Sequence, residues 1–219
     1  TMSLDRRMEL LDWARRNGSI LIEDDYETEM SYMSQTKPAL KSLDALGQVI
    51  YTGSLSKSFI PSLRIGYLVG PAPFIREARA LRRLLLRHPP SNNQRAVSLF
   101  LSLGHHDSAV ARLHREYAQR WRCLGDALAE YLPEASYPNT SGGTSYWLRL
   151  PRGVSSSRLA AEALKQGVVI EPGQVYFTDP AKGEQYIRLG FSAIRTQDIP
   201  TGIKILADLA HGMMNERSG

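Results

Sequence analysis

Residues 54–64 read Ser-Leu-Ser-Lys-Ser-Phe-Ile-Pro-Ser-Leu-Arg and lie between two apolar runs. Lysine prefers solvated positions, so a lysine just behind a run that reads as a buried strand asks for a reason. The hydroxyls around it, Ser54 and Ser56 among them, and the donor fork of Arg64 suit a dianionic phosphate ester. Beside such an anchor, Lys57 has the chemistry to form a Schiff base with the aldehyde of a phosphorylated cofactor. A solvated Ser/Lys-rich turn has the same composition, and the loop by itself leaves both readings open.

Two more groups stand in comparable places. Glu23-Asp24-Asp25-Tyr26 closes an apolar run, where a carboxylate can pair with a protonated ring nitrogen and a phenol can donate to a ring oxygen. A helix cap or a solvated acidic turn is the alternative. Tyr186-Ile187-Arg188-Leu189-Gly190-Phe191-Ser192 alternates, which puts Ile187, Leu189 and Phe191 on one face and Arg188 on the other. An arginine centred in a strand calls for a partner or a cleft, and a substrate carboxylate is its natural bidentate match. An arginine turned to solvent is the alternative. The histidines at 88, 105, 106, 114 and 211 lack metal-ligand spacing, so no metal site is expected. Cys123, the only cysteine, has no catalytic partner nearby in sequence and reads as a small core or groove residue.

The elements that must position these residues follow from periodicity and punctuation. Ser3 caps a helix with apolar positions Leu4, Met8, Leu11 and Ala14, and Asn17-Gly18 stops it. Residues 19–23, 49–52 and 64–69 read as short buried strands, the first running into an acidic turn at Asp24-Asp25-Tyr26. Helices are expected at 74–86, 94–103 and 108–131, the last with an apolar residue every three or four positions. Beyond it the pattern changes to strands at 146–150, 168–170 and 186–192, helices at 157–166 and 199–214, and a Ser155-Ser156 cap before the first of these helices. This is an α/β arrangement followed by a small α+β unit with antiparallel strands. The division is expected at 107/108, and Gly142-Gly143 reads as a tight entry to the next strand.

Composition excludes other classes. Of 219 residues 42% are apolar and 22% charged, which leaves no room for a disordered, collagen-like or disulfide-framework chain. No apolar run approaches the length of a membrane helix, and the first 18 residues are charged and amphipathic rather than a signal peptide. The net charge of +5 is dispersed along the chain and reads as solvated helix faces rather than a nucleic-acid footprint. One cysteine suits a reducing cytoplasm. The chain enters a helix almost at once after Thr1, which reads as a piece of a longer protein.

Together the groups resemble fold-type-I pyridoxal-phosphate enzymes. The resemblance rests on Asp24-x-Tyr26, Ser54-x-Ser56-Lys57 with Arg64 seven residues on, Gly142-Gly143-x-x-x-Trp147-Leu148, Glu171-Pro172-Gly173-x-x-x-Phe177 and Arg188-Leu189-x-Phe191-Ser192. Five motifs in order cover essentially the whole chain. Within the group, Glu23-Asp24-Asp25-Tyr26-Glu27 and the opening Met2-Ser3-Leu4-Asp5-Arg6-Arg7 are similar to the aminotransferase-like domain of MocR-type regulators of the GntR superfamily. Free-standing aminotransferases of this branch usually carry a proline between the acidic pair and the tyrosine, and this chain has none.

The resemblance implies an aspartate-aminotransferase-like α/β fold. Residues 1–107 would be the C-terminal half of the cofactor-binding large lobe, truncated at its front, and 108–219 a spine helix with the small α+β lobe. It implies pyridoxal 5'-phosphate on Lys57, Asp24 holding the pyridinium proton and Tyr26 bonding the phenolic oxygen. Ser54, Ser56 and Arg64 would hold the phosphate, and Arg188 an amino-acid carboxylate. The implied function is sensing of an amino-acid or amine effector, bound as an external aldimine, by a cytoplasmic homodimer. DNA would be bound only through a winged-helix domain that this chain does not contain. Two rivals remain: a fragment of a genuine aminotransferase, and a dimerisation domain whose site residues are relics. Without the family's glycine-rich phosphate turn and ring-stacking aromatic, residues 1–219 alone are expected to bind the cofactor poorly. Uncovered sheet edges are expected at 21–23 and 49–52.

Overall fold

In the computed structural model the described residues are 2–25, 31–32, 38–55, 61–138 and 142–216. They form two compact units, Thr1–His114 and Arg115–Gly219, and the boundary lies inside a helix.

The first unit opens with α1 (Leu4–Asn17). Its start is set by Ser3, whose Oγ accepts from the Arg6 amide at 3.3 Å, and its end by Gly18, which takes a left-handed φ of 59°. β1 (Leu21–Asp25), β2 (Val49–Ser54) and β3 (Gly66–Val69) form one sheet in the order β1-β2-β3. β1 and β2 run parallel with Asp24 opposite Thr52, and β3 is antiparallel to β2 with Gly66 opposite Ser54. The Tyr67 ring lies over Gly53, and a Cβ there would stand 2.3 Å from the ring, so any larger residue would displace it.

Two carboxylates fix how the sheet meets the short helix α2 (Leu40–Leu43). Glu23 accepts from the amides of Leu40 (2.8 Å) and Lys41 (2.9 Å) and from Arg7 (3.3 Å), so it caps the orphan donors of the first turn. Asp44 accepts from the amides of Val49 (2.9 Å), Gln48 (3.0 Å) and Leu46 (3.2 Å) and from the Lys41 ammonium (3.0 Å), which pins the start of β2. The unit continues with α3 (Ala72–Leu86), α4 (Ser91–Ser102) and the first part of α5 (His105–Tyr131).

Four expectations need correction here. β1 reaches Asp25, so Asp24 and Asp25 belong to a strand and not to a turn. β3 begins at Gly66, which leaves Arg64 outside it, and β3 is exposed along its length rather than buried. Residues 49–52 form no edge, because β2 is the central strand, with Val49, Ile50 and Tyr51 buried. β1 is an edge of this sheet and leaves Ile22 73% exposed.

The second unit holds the rest of α5, β4 (Ser145–Arg149), α6 (Ser156–Lys165), β5 (Glu171–Pro172), α7 (Pro180–Gly183), β6 (Tyr186–Gly190) and α8 (Ile199–Asn215). The strands are antiparallel in the order β4-β6-β5. Tyr146, Leu148, Ile187, Leu189 and Phe191 share the core with Trp121, Leu124 and Leu128 of α5, Leu159 of α6, and Ile203 and Leu206 of α8. Ser155 caps α6 by accepting from the Arg158 amide, whereas Ser156 is buried. The strand expected at 168–170 lies instead at Glu171–Pro172. The Val168 amide bonds back to the Ala163 carbonyl at 2.9 Å, so that stretch closes α6 rather than pairing with β6. Among the described residues no helix is long and apolar enough to cross a membrane.

Candidate functional site

In the first unit the site is built by strand parity. Partners in register share a face, so Asp24, Thr52 and Ser54 project from one face of the sheet, and Asp25, Tyr51 and Gly53 belong to the other. The Thr52 hydroxyl donates to Asp24 Oδ1 at 2.9 Å, and the Tyr51 hydroxyl donates to Asp25 Oδ2 at 3.3 Å. The two adjacent aspartates, equivalent in composition, therefore have separate partners. Asp24 and Ser54 also lie at the carboxyl ends of two parallel strands, the end at which open α/β sheets bind ligands.

Arg64 is brought to that end by the β2–β3 pairing. Ser54 faces Gly66, and the Leu55 amide bonds the Ile65 carbonyl at 3.2 Å, which sets the residue before Ile65 next to the end of β2. Asn93 of α4 donates to the Leu63 carbonyl at 3.2 Å and braces the same segment. Arg64 itself is exposed and holds a left-handed φ of 52°, a conformation that costs a non-glycine residue about 1–2 kcal/mol. Strain of this kind concentrates at functional positions. Of the other expected site residues, Tyr26, Ser56 and Lys57 lie outside the described residues.

In the second unit Arg188 lies on the sheet face opposite the core, between two cross-strand neighbours. Trp147 of β4 pairs with it on one side and Glu171 of β5 on the other. Arg188 Nη1 meets Glu171 Oε1 at 2.7 Å. The Tyr176 hydroxyl donates to the other oxygen of the same carboxylate, and this bond is the main cause that pushes the phenol's pKa up. Burial and the Glu171 charge add to that rise, and Arg188 opposes it. Trp147 stacks on Tyr186 at 5.4 Å and meets Tyr176 edge-on at 5.4 Å, and Phe177 lies 5.4 Å from Tyr186. Arg188 thus has an aromatic wall and an acidic neighbour. The sequence reading missed both, although Glu171, Trp147 and Phe177 all sit in motifs it picked out.

Cys123 donates to the Thr196 carbonyl at 3.5 Å, and burial together with Asp126 pushes its thiol pKa up, away from the reactive thiolate. Among the described residues no group of His, Cys, Asp or Glu could hold a metal ion.

Known proteins are similar to this chain in sequence and in fold. The chain is 43% identical over 207 residues to the HTH-type transcriptional regulator TauR of Rhodobacter capsulatus, which covers 94% of this chain and 43% of that protein. The crystal structure of Pyrococcus horikoshii kynurenine aminotransferase in complex with PMP superposes with a TM-score of 0.89 at 30% identity, over 97% of this chain and 52% of the other. The multiple substrate aminotransferase of Thermococcus profundus gives a TM-score of 0.90 at 27% identity, over 99% and 54%. The chain spans about half the length of the relatives it matches. Its fold is that of the fold-type-I aminotransferases. With residues 1–206 matching the family model for aminotransferase class I and II, the chain belongs to that family.

Proposed function

We propose that this chain is part of a pyridoxal-phosphate-binding, aminotransferase-like domain that senses an amino compound on behalf of a MocR-type transcriptional regulator. In this reading residues 1–107 are the C-terminal half of the large lobe, and residues 108–219 are the spine helix and small lobe. The observation that carries it is the sheet face on which Asp24 and Ser54 stand together at the carboxyl end of a parallel pair, with Arg64 held beside them. A carboxylate that can accept from a pyridinium N–H, with hydroxyls and an arginine that can donate to a phosphate dianion, come from segments that meet at one strand end. The 43% identity to TauR favours the regulator.

Asp24, oriented by the Thr52 hydroxyl, would hold the proton on the ring nitrogen, and Tyr26 would bond the phenolic oxygen. Ser54, Ser56 and Arg64 would hold the phosphate. The bound cofactor supplies an electron sink for its substrate's amino carbon. Lys57 contributes an amine that attaches the cofactor and, once released, accepts or returns a proton. Arg188 fixes the carboxylate of the incoming amine. A homodimer in the cytoplasm, with DNA bound through a separate N-terminal domain, completes the proposal. The second reading, a genuine aminotransferase, is favoured by the 30% identity to the kynurenine enzyme, since the same residues serve transamination.

Lys57 tests the assignment. Treating the full-length, cofactor-loaded protein with borohydride should fix the pyridoxyl group covalently, and peptide mass spectrometry should place it on Lys57. A group found on Lys41 or Lys165 would refute the site.

A further inference from the structure

Some carboxylates among the described residues serve the backbone. Glu23 and Asp44 are nearly buried, at 10% and 3% exposure, and accept from backbone amides that have nowhere else to go. Glu171 is different. Its side chain is half exposed, and its hydrogen-bond partners among the described residues are two side chains, Arg188 and Tyr176. It rides on a two-residue strand, of which Pro172 supplies no amide, so little backbone structure depends on where its carboxylate points.

The Arg188–Glu171 contact is also one-pronged, through Nη1 alone at 2.7 Å, whereas Arg158 grips Glu216 with both nitrogens at 2.7 and 3.2 Å. A carboxylate that approached the Arg188 fork in its plane could take two parallel bonds where Glu171 takes one. The register puts Glu171 directly across from Arg188 on the face that Trp147 also shares. An internal carboxylate therefore stands at the place where a ligand carboxylate would be bound.

We propose that Glu171 is a specificity-determining residue, a built-in competitor that occupies the Arg188 guanidinium and must be displaced by the anionic group of a ligand, with Tyr176 holding it in place. The inference rests on the assignment of Arg188 as the carboxylate site. Displacement moves no covalent bond: the Arg188–Glu171 contact exchanges for an Arg188–ligand contact, and Glu171 turns to water or to Tyr176. Ligands whose anion engages both prongs would pass this competition, and those with a weakly accepting group would not. Selectivity would then come from the opposition of one residue as well as the attraction of another.

The experiment compares β-alanine with n-propylamine, which has the same chain length and no carboxylate, on the full-length cofactor-loaded protein. Affinities are read by isothermal calorimetry, and the Arg188 side-chain nitrogens by NMR. Exposed ion pairs are weak, so Glu171→Gln should tighten β-alanine by about threefold, leave n-propylamine unchanged and shift the Arg188 signals before any ligand is added. Tyr176→Phe, which frees Glu171 to move, should act in the same direction by a smaller factor. Unchanged or weaker β-alanine binding in Glu171→Gln, or an equal change for both amines, would overturn the proposal. Arg188→Ala distinguishes the underlying assignment: it should abolish the preference for β-alanine. If the preference survives in Arg188→Ala, the carboxylate site lies elsewhere and this inference falls with it. If Arg188→Ala removes the preference and Glu171→Gln does not tighten binding, only the role of Glu171 is lost.

Discussion

Asp24 and Asp25 are chemically the same residue, and one peptide bond separates them. Pleating sends them to opposite faces, Asp24 toward Thr52 and Ser54, Asp25 toward Tyr51. This difference is testable in the cofactor-loaded full-length protein. Asp24→Asn keeps the shape and removes the charge that would hold a ring proton. It should weaken cofactor affinity by tenfold or more, since bonds to charged groups contribute about 1.5–3 kcal/mol. Asp25→Asn should stay within about twofold. A fluorescence titration of each variant with pyridoxal phosphate measures both, and equal losses would contradict the assignment of faces. Composition could not separate the two aspartates, because an acidic pair after an apolar run reads equally as a turn. The separation becomes visible only once β1 is known to extend through both.

At the scale of elements, the joint between α2 and β2 depends on one aspartate. Burial works against the charge of Asp44, but the amides of Val49 and Gln48 and the Lys41 ammonium outweigh it and hold its pKa below the ordinary aspartate value of 3.8. A depressed pKa in the folded state stabilises the protein fully above the unfolded value, and the benefit disappears as pH falls through the folded one. Asp44→Asn should therefore cost about 1–3 kcal/mol at pH 7, the price of leaving near-buried donors poorly matched. The gap to the parent protein should narrow below pH 3.8. Urea unfolding at pH 7 and at pH 3 provides the check, and a gap that does not depend on pH would mean the carboxylate charge contributes nothing. Most elements were legible from caps and periodicity: Ser3 and Gly18 bound α1, and the three-four spacing along α5 marks the residues it buries. The errors fall where tertiary pairing decides. β5 sits three residues later than its apolar run, because Val168 is used by α6, and β3 is exposed although its residues suit a core.

At the scale of the whole molecule, the first unit leaves a large apolar area uncovered. Leu84 and Leu85 of α3 are more than 80% exposed, Ile22 nearly three-quarters, and β3 is open along its length. Patches of that kind normally mark a surface that another part of a protein covers. Prepared as these 219 residues, the chain should self-associate and bind pyridoxal phosphate poorly. Light scattering should give a mass above the 24.5 kDa of one copy. A 24.5 kDa species that binds the cofactor at micromolar affinity would refute the expectation. The order of the five motifs made the family legible from sequence. The Glu171–Arg188 pairing was not, because residues 17 apart become neighbours only through the β5–β6 register.

The clamp by Glu23 on α2 has a consequence for how the chain tolerates error. If β1 slipped by one residue against β2 so that Glu23 came opposite Thr52, the site face would still present a carboxylate. The run Glu23-Asp24-Asp25 thus makes the binding face indifferent to a slip that would otherwise erase it. The place of Glu23 has no such spare, because Ile22 would take it. The same slip would turn Glu23 away from the Leu40 and Lys41 amides and leave the first turn of α2 without its acceptor. The strand's alignment is therefore enforced from the structural face, by a residue that takes no part in ligand chemistry. The chemical face can accept either alignment.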